Sequence, residues 1–254
     1  MAIRMESLVH PPLPWAVQGA GYSLRLHCPQ FFANLMAQTL VGWSIAPAQP
    51  GEGYDITLSY DGARYTIDSI MLDAPRDYGD MIDALNEVFL CLSYHVAANT
   101  PDAVLIHCAA FEQDRTCSLI IGRKGAGKSS LMFEKAEAGA RIFADDLLLY
   151  FPTQVRCMAL GLPLRLRRPV PAPLREILNV DGFFAGARLA YSKRDIYTVA
   201  PMGDTFFLDQ IVALHGVGDQ RVVPLRQSAA ALAEYRIGAH YATVKKPLLQ
   251  GAEA

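Results

Sequence analysis

The chain has 254 residues, 52% hydrophobic and 19% charged, with a formal net charge of −2 at pH 7. This is a globular composition, long enough for one large core or two small ones. The near-neutral balance provides no global basic field for nucleic acid, and no apolar run reaches the length of a membrane span. Charge and proline come early, within residues 1–14, where a secretory signal needs an apolar stretch, so the expected setting is cytoplasmic. Five cysteines without a Cys-x-x-Cys pair then read as reduced, mostly buried thiols.

Residues 1–100 read as a small α+β leading region. Residues 10–14, with three prolines, predict an extended lead-in without regular structure. Alternation over residues 56–60 and 63–67 around Asp61-Gly62 predicts a β-hairpin. Residues 80–97 have helical spacing, with Leu85, Val88, Phe89 and Leu92 on one face. Nothing in this region reads as catalytic.

Residues 101–254 read as the catalytic domain. A strand over 104–111, a polar turn over 112–116 and a buried strand over 118–121 suggest a hairpin centred near Asp114. That register sets His107 opposite Ile121 or Gly122. An imidazole beside a ligand and a core histidine bonded to a carbonyl both remain open for it.

The next segment is Gly122-Arg123-Lys124-Gly125-Ala126-Gly127-Lys128-Ser129, followed by Ser130. It fits the P-loop pattern of Gly, four residues, Gly-Lys-Ser/Thr. Glycines let the backbone curl so that amide N–H groups face phosphate oxygens, and the helix that follows adds its positive end. Lys128 is placed to reach the outer phosphates of ATP, or of GTP, which the motif does not distinguish. The Ser129 hydroxyl is placed to ligate Mg²⁺. Residues 130–138 read as that helix, with Gly139 as its stop.

Residues 141–150 read as a strand interrupted by Asp145 and Asp146. A buried parallel strand ending in Asp is the usual partner of a P-loop for Mg²⁺. Two unpaired carboxylates among apolar neighbours are costly to bury without such a partner. Further on, residues 164–168 predict a basic, alternating strand whose Arg165 and Arg167 either meet phosphate or form a solvated face. The cluster at residues 191–195 is open in the same way. Residues 205–214 contain a strand, residues 228–237 read as an amphipathic helix that Ser228 caps, and the tail after Lys246 reads as frayed.

His107, the glycine-rich loop, Gly139 and Ala144-Asp145-Asp146 come in the order seen in the catalytic domain of HPr serine kinase/phosphorylase, and residues 104–150 resemble that family. A fainter likeness over residues 164–169, 206–214 and 224–232 is similar to short HPr-kinase-related proteins, including kinases of lasso-peptide precursors. The resemblance implies an α/β fold: a P-loop, HPr-kinase-like core of mixed sheet with flanking helices, after a small α+β region. It implies an ATP-dependent kinase acting on a serine hydroxyl of a protein or ribosomal peptide precursor, with no nucleic-acid or membrane partner and an oligomer compatible with the family. By resemblance Asp145 is the base, His107 assists it, Asp146 and Ser129 hold Mg²⁺, and Arg165 or Arg167 meets the transferring phosphate. Two features depart from the family: Ser130 replaces an acidic residue, and residues 159–165 lack its second carboxylate segment. A small-molecule kinase, an ATPase or GTPase switch and a non-catalytic ATP-binding regulatory protein stay open beside the kinase.

Overall fold

A computed structural model describes residues 11–237 except 52, 171, 179, 217 and 218. The architecture is mixed α/β, with several sheets and few helices. The chain opens with strands β1 (Leu13–Gly19) and β2 (Tyr22–Cys28), paired through a tight turn in which Ala20 and Gly21 both take positive φ. The expected irregular lead-in therefore ends at Leu13. Pro14 is accommodated near the start of β1, where a proline disturbs the ladder least. Helix α1 (Gln30–Thr39) and strands β3 (Ser44–Pro47), β4 (Ile56–Tyr60), β5 (Tyr65–Ser69) and β6 (Arg76–Tyr78) complete a six-stranded sheet, ordered β3-β1-β2-β4-β5-β6. The β4–β5 hairpin turns at Asp61-Gly62 as the alternation predicts. The Asp61 carboxylate accepts from the Ala63 and Arg64 N–H groups, and Gly62 takes φ 100°.

Helix α2 (Met81–Ala98) starts at the Asp80 cap, whose carboxylate accepts from the N–H groups of Ile82 and Asp83. Its expected apolar face is buried. The core against which it packs also contains Leu105, Leu147, Leu149 and Met158, so residues on both sides of position 100 share one apolar cluster.

The strand expected over residues 104–111 is two strands. β7 (Val104–His107) and β8 (Ala109–Gln113) belong to different sheets, and the strand expected over 141–150 divides likewise into β10 (Arg141–Ala144) and β11 (Leu147–Phe151). The two breaks coincide in space. β7 pairs with β11, β8 pairs with β10, and between them the Cys108 N–H donates to the Asp146 carbonyl at 3.1 Å. The paired ribbon thus passes from one sheet to the other at this point, and alternation within each piece cannot reveal it.

β9 (Thr116–Gly122) returns antiparallel to β8 through Asp114 and Arg115, both at positive φ. The hairpin is centred where expected, with Ala109 opposite Ile120, but His107 has already left for the other sheet and faces Leu147. Helix α3 (Lys128–Glu137) follows, and Gly139 at φ 81° ends it. β12 (Arg156–Met158), β13 (Arg165–Arg167), helix α4 (Ala172–Ile177), β14 (Phe183–Ala185) and β15 (Leu189–Ser192) come next. β13, β15 and β14 form a small sheet beside α3.

The expected strand at 205–214 is also two: β16 (Thr205–Phe207) on the edge of the β7 sheet, and β17 (Gln210–Gly216) in the β8–β9 sheet. β17 runs parallel to β9, and β18 (Asp219–Val223) pairs with it. The strand that leads to the aspartates, β10, is antiparallel to its neighbour β8, which corrects the parallel arrangement expected. Helix α5 (Ser228–Ala233) stops short because β19 (Arg236–Ile237) pairs with β7, so long-range pairing overrides the local helical pattern. Ser228 is the first helical residue, and its hydroxyl meets the Tyr150 hydroxyl instead of capping the helix. The tail after Lys246 lies outside the described residues.

All five cysteines are free thiols, four of them buried. Among the described residues, no helix is long and apolar enough to cross a membrane.

Candidate functional site

β9 delivers Gly122 to the start of the glycine-rich loop, with Leu214 of β17 directly alongside. A Cβ on Gly122 would lie 2.8 Å from the Leu214 carbonyl oxygen, so the strands can approach this closely only over a glycine. Gly125 and Gly127 take φ 88° and 98° and turn the chain into α3. Gly127 is the cap of that helix and offers no side chain to its first N–H groups, which leaves the positive end of α3 open. Ala126 is buried beneath the loop, while Arg123 and Lys124 are exposed.

Lys128 is 7% exposed, and its Nζ donates to the Gly122 carbonyl at 2.7 Å. Burial lowers its pKa, against the opposing pull of the nearby Asp146 and Asp145. Among the described residues its ammonium meets carbonyls and no carboxylate, so it is a cation folded back onto its own loop.

Asp145 and Asp146 stand between β10 and β11, where the ribbon changes sheets. Their surroundings differ sharply. Asp145 is 5% exposed; its Oδ2 accepts from the Arg165 N–H at 2.8 Å, and its Oδ1 is buried with no partner. Burial raises its pKa to about 6, the Arg165 N–H and charge oppose that, Asp146 adds to it, and the neighbouring Ser129 hydroxyl lowers it slightly. Asp146 lies partly open in the cleft. Its Oδ1 accepts from the Arg165 guanidinium and lies 3.2 Å from His107 Nε2. Burial alone would raise its pKa, but the His107 hydrogen bond and the charge of Arg165 outweigh that and hold it below the ordinary carboxylate range.

His107 sits at the end of β7, held from behind by its N–H to the Tyr235 carbonyl at 2.8 Å. Its side chain reaches the same cleft as the loop although it stands in another sheet. One cleft of about 720 Å³, open to solvent, is lined by His107, Lys124, Lys128, Ser129 and Ser130, both aspartates, Arg165 and Arg167. Gly125 and Gly127 also line it, whereas Gly122, Arg123 and Ala126 do not.

The two arginines differ. Besides Asp146, the Arg165 guanidinium donates to Asn86 Oδ1 at 2.9 Å. Arg167, two residues along on the same face of β13, is exposed, and no carboxylate partners it among the described residues.

Asn86 escapes the sequence reading. Its Oδ1 also accepts from the Tyr191 hydroxyl at 2.7 Å, so α2 of the leading region anchors the arginine that holds Asp146. The signal in the sequence is a polar stripe at helical spacing. Asp80 accepts from the Ala187 N–H at 2.9 Å, Asp83 pairs with Arg188, and Asn86 takes Arg165, all toward the β13–β15 sheet.

No protein-family model and no curated protein matches this chain.

Proposed function

We propose that this protein is an ATP-dependent kinase of a serine hydroxyl in a protein or ribosomal peptide precursor, built on a P-loop core similar to that of HPr serine kinase/phosphorylase. The observation that carries the reading is the convergence in one cleft of the glycine loop, the uncapped start of α3, Lys128, two unlike carboxylates, His107 and Arg167. Phosphoryl transfer needs positioning and charge neutralisation more than covalent chemistry, and this set supplies both.

The triphosphate lies along the loop, against its backbone N–H groups and the start of α3. Lys128 exchanges the Gly122 carbonyl for a phosphate oxygen. The unpartnered Oδ1 of Asp145 and the adjacent Ser129 hydroxyl are hard oxygen donors that fit Mg²⁺. Among the described residues no group of three His, Cys, Asp or Glu would hold a metal, but Mg²⁺ is commonly held by one or two carboxylates together with phosphates and water. When bound, Mg²⁺ supplies neutralisation of the β- and γ-phosphate charge.

This division of labour reverses the one the resemblance implies. Asp145 Oδ1 is shut off from solvent in the cleft wall beside Ser129, whereas Asp146 lies partly open in the cleft. The acceptor hydroxyl therefore meets Asp146, which His107 and Arg165 orient. The serine oxygen bonds to the γ-phosphorus, the bond from that phosphorus to the β-bridging oxygen breaks, ADP leaves and Asp146 takes the hydroxyl proton. Asp146 is ionised at neutral pH and ready to accept. Arg165 is engaged in holding it, so Arg167 is the arginine for the transferring phosphate.

The test is incubation with γ-labelled ATP, Mg²⁺ and serine peptides encoded by neighbouring genes, read by mass spectrometry. Label on a serine, lost in Lys128→Ala and Asp146→Asn, is the expected result. ATP bound but transferred to no peptide would remove the peptide-kinase reading in favour of a small-molecule acceptor or a regulatory ATP-binding protein.

A further inference from the structure

The charge of this chain is segregated. Residues 164–194 contain seven Lys and Arg against two acids, Glu176 and Asp181, a net of +5 in a chain of net −2, which leaves −7 on the remainder. This segment forms the small β13–β15 sheet and α4, packed beside α3 next to the cleft.

Four exposed cations stand in the cleft or close beside it. Lys124 and Arg167 line the cleft itself. Arg168 comes next in the chain, and its guanidinium donates to the Gly186 carbonyl. Arg175 Nε donates to the Val170 carbonyl at 2.6 Å, next to Pro169, which also lines the cleft. Arg168 and Arg175 are thus fixed in place by backbone carbonyls. Among the described residues none of the four has a carboxylate partner, whereas Arg188 in the same segment is matched by Asp83. Lys124 and Arg167 lie where nucleotide phosphates would neutralise them. Arg168 and Arg175 do not line the cleft; they stand next to Arg167 and Pro169, which do, and stay clear of the nucleotide phosphates.

We propose that this rim docks an acidic stretch of the acceptor polypeptide, adjacent to the hydroxyl that is phosphorylated. Unmatched guanidinium groups at a cleft mouth raise the local concentration of an anionic partner and orient it on arrival. A short acidic segment covers the positive rim alone. A long polyanion such as nucleic acid would run on from it onto the rest of the molecule, whose residues sum to a formal −7. The identity of the partner as an acceptor rests on the kinase reading, but its binding is measurable without turnover.

The experiment is fluorescence anisotropy on the full chain with two labelled peptides, one with a single serine among Glu and Asp, the other with Gln and Asn in their place. The acidic peptide should bind at least about tenfold tighter at low salt, with the advantage shrinking between about 0.05 and 0.3 M salt. Arg175→Glu and Arg168→Glu should each weaken it about fivefold with Mg·ATP affinity unchanged. Arg175→Gln, checked for an unaltered melting temperature, should weaken it by less. Equal binding of both peptides, or no loss in the Arg175 variants, overturns the proposal. So does tighter binding of a single-stranded oligonucleotide of the same charge. Acidic-peptide binding with no transfer of label would sustain the rim and remove the kinase reading, so the two fail separately.

Discussion

Asp145 is a buried carboxylate that the fold leaves half satisfied, and its replacement by Asn has a calculable signature. The carboxyl titrates near 6 in the native protein, mainly because burial penalises its charge, against an ordinary value of 3.8. The native state therefore holds this proton more tightly than the unfolded chain does. Its contribution to stability is fully present below 3.8 and is lost as pH rises through 6. The whole difference is worth about 3 kcal/mol, roughly half of which falls between about pH 5 and pH 8. An amide cannot ionise, so Asp145→Asn removes this dependence. Whatever the amide gains or loses by pairing its own N–H groups is the same at every pH. Melting both proteins in chelator across that range should show the variant gaining on wild type by about 3–6 °C toward pH 8. Parallel melting curves, with no growth of the difference between the two pH limits, would refute the account of Asp145 as a carboxylate whose burial outweighs its partners. Mg²⁺ with nucleotide should then stabilise wild type more than the variant, since only wild type keeps the carboxylate Oδ1.

Other perturbations test the frame around the site. Gly122→Ala should destabilise the fold by about 1–3 kcal/mol, because the new methyl meets the Leu214 carbonyl at 2.8 Å; a denaturation midpoint equal to wild type would contradict that. Asn86→Leu removes the acceptor shared by Arg165 and Tyr191, and should lower kcat about tenfold while the KM for ATP stays level. Asn86→Ser, which keeps an oxygen acceptor, should recover part of that; equal loss in both variants would assign Asn86 a packing role instead. Asp80→Ala strips the cap from α2 and the partner from the Ala187 N–H, for a loss of about 1–2 kcal/mol in urea titration.

Local chemistry was legible in the chain. The Asp61-Gly62 hairpin, α2 with its buried face, and the glycine loop entering α3 and ending at Gly139 all follow from turn residues, helical spacing and positive φ. These are decided within a few residues, and a sequence records them directly. The candidate residues around Lys128 were legible for the same reason: glycine spacing and a lysine are local properties.

Tertiary structure decided the rest. Only long-range pairing shows that the strands around Cys108 and Asp146 break together and change sheets, since each piece alternates as one continuous strand would. That break carries His107 into a second sheet and still brings it to Asp146. The same holds for the difference between the two aspartates. Adjacent in sequence and identical in chemistry, they are told apart by what surrounds each oxygen: the Arg165 guanidinium and His107 for Asp146, burial with one oxygen unpartnered for Asp145. Asn86 entered the site because a helix from the leading region packs against β15, a contact between residues about a hundred positions apart in the chain that no local pattern encodes. Charge, burial and hydrogen bonding at this cleft are properties of three-dimensional neighbours, and those exist only once the sheets have assembled.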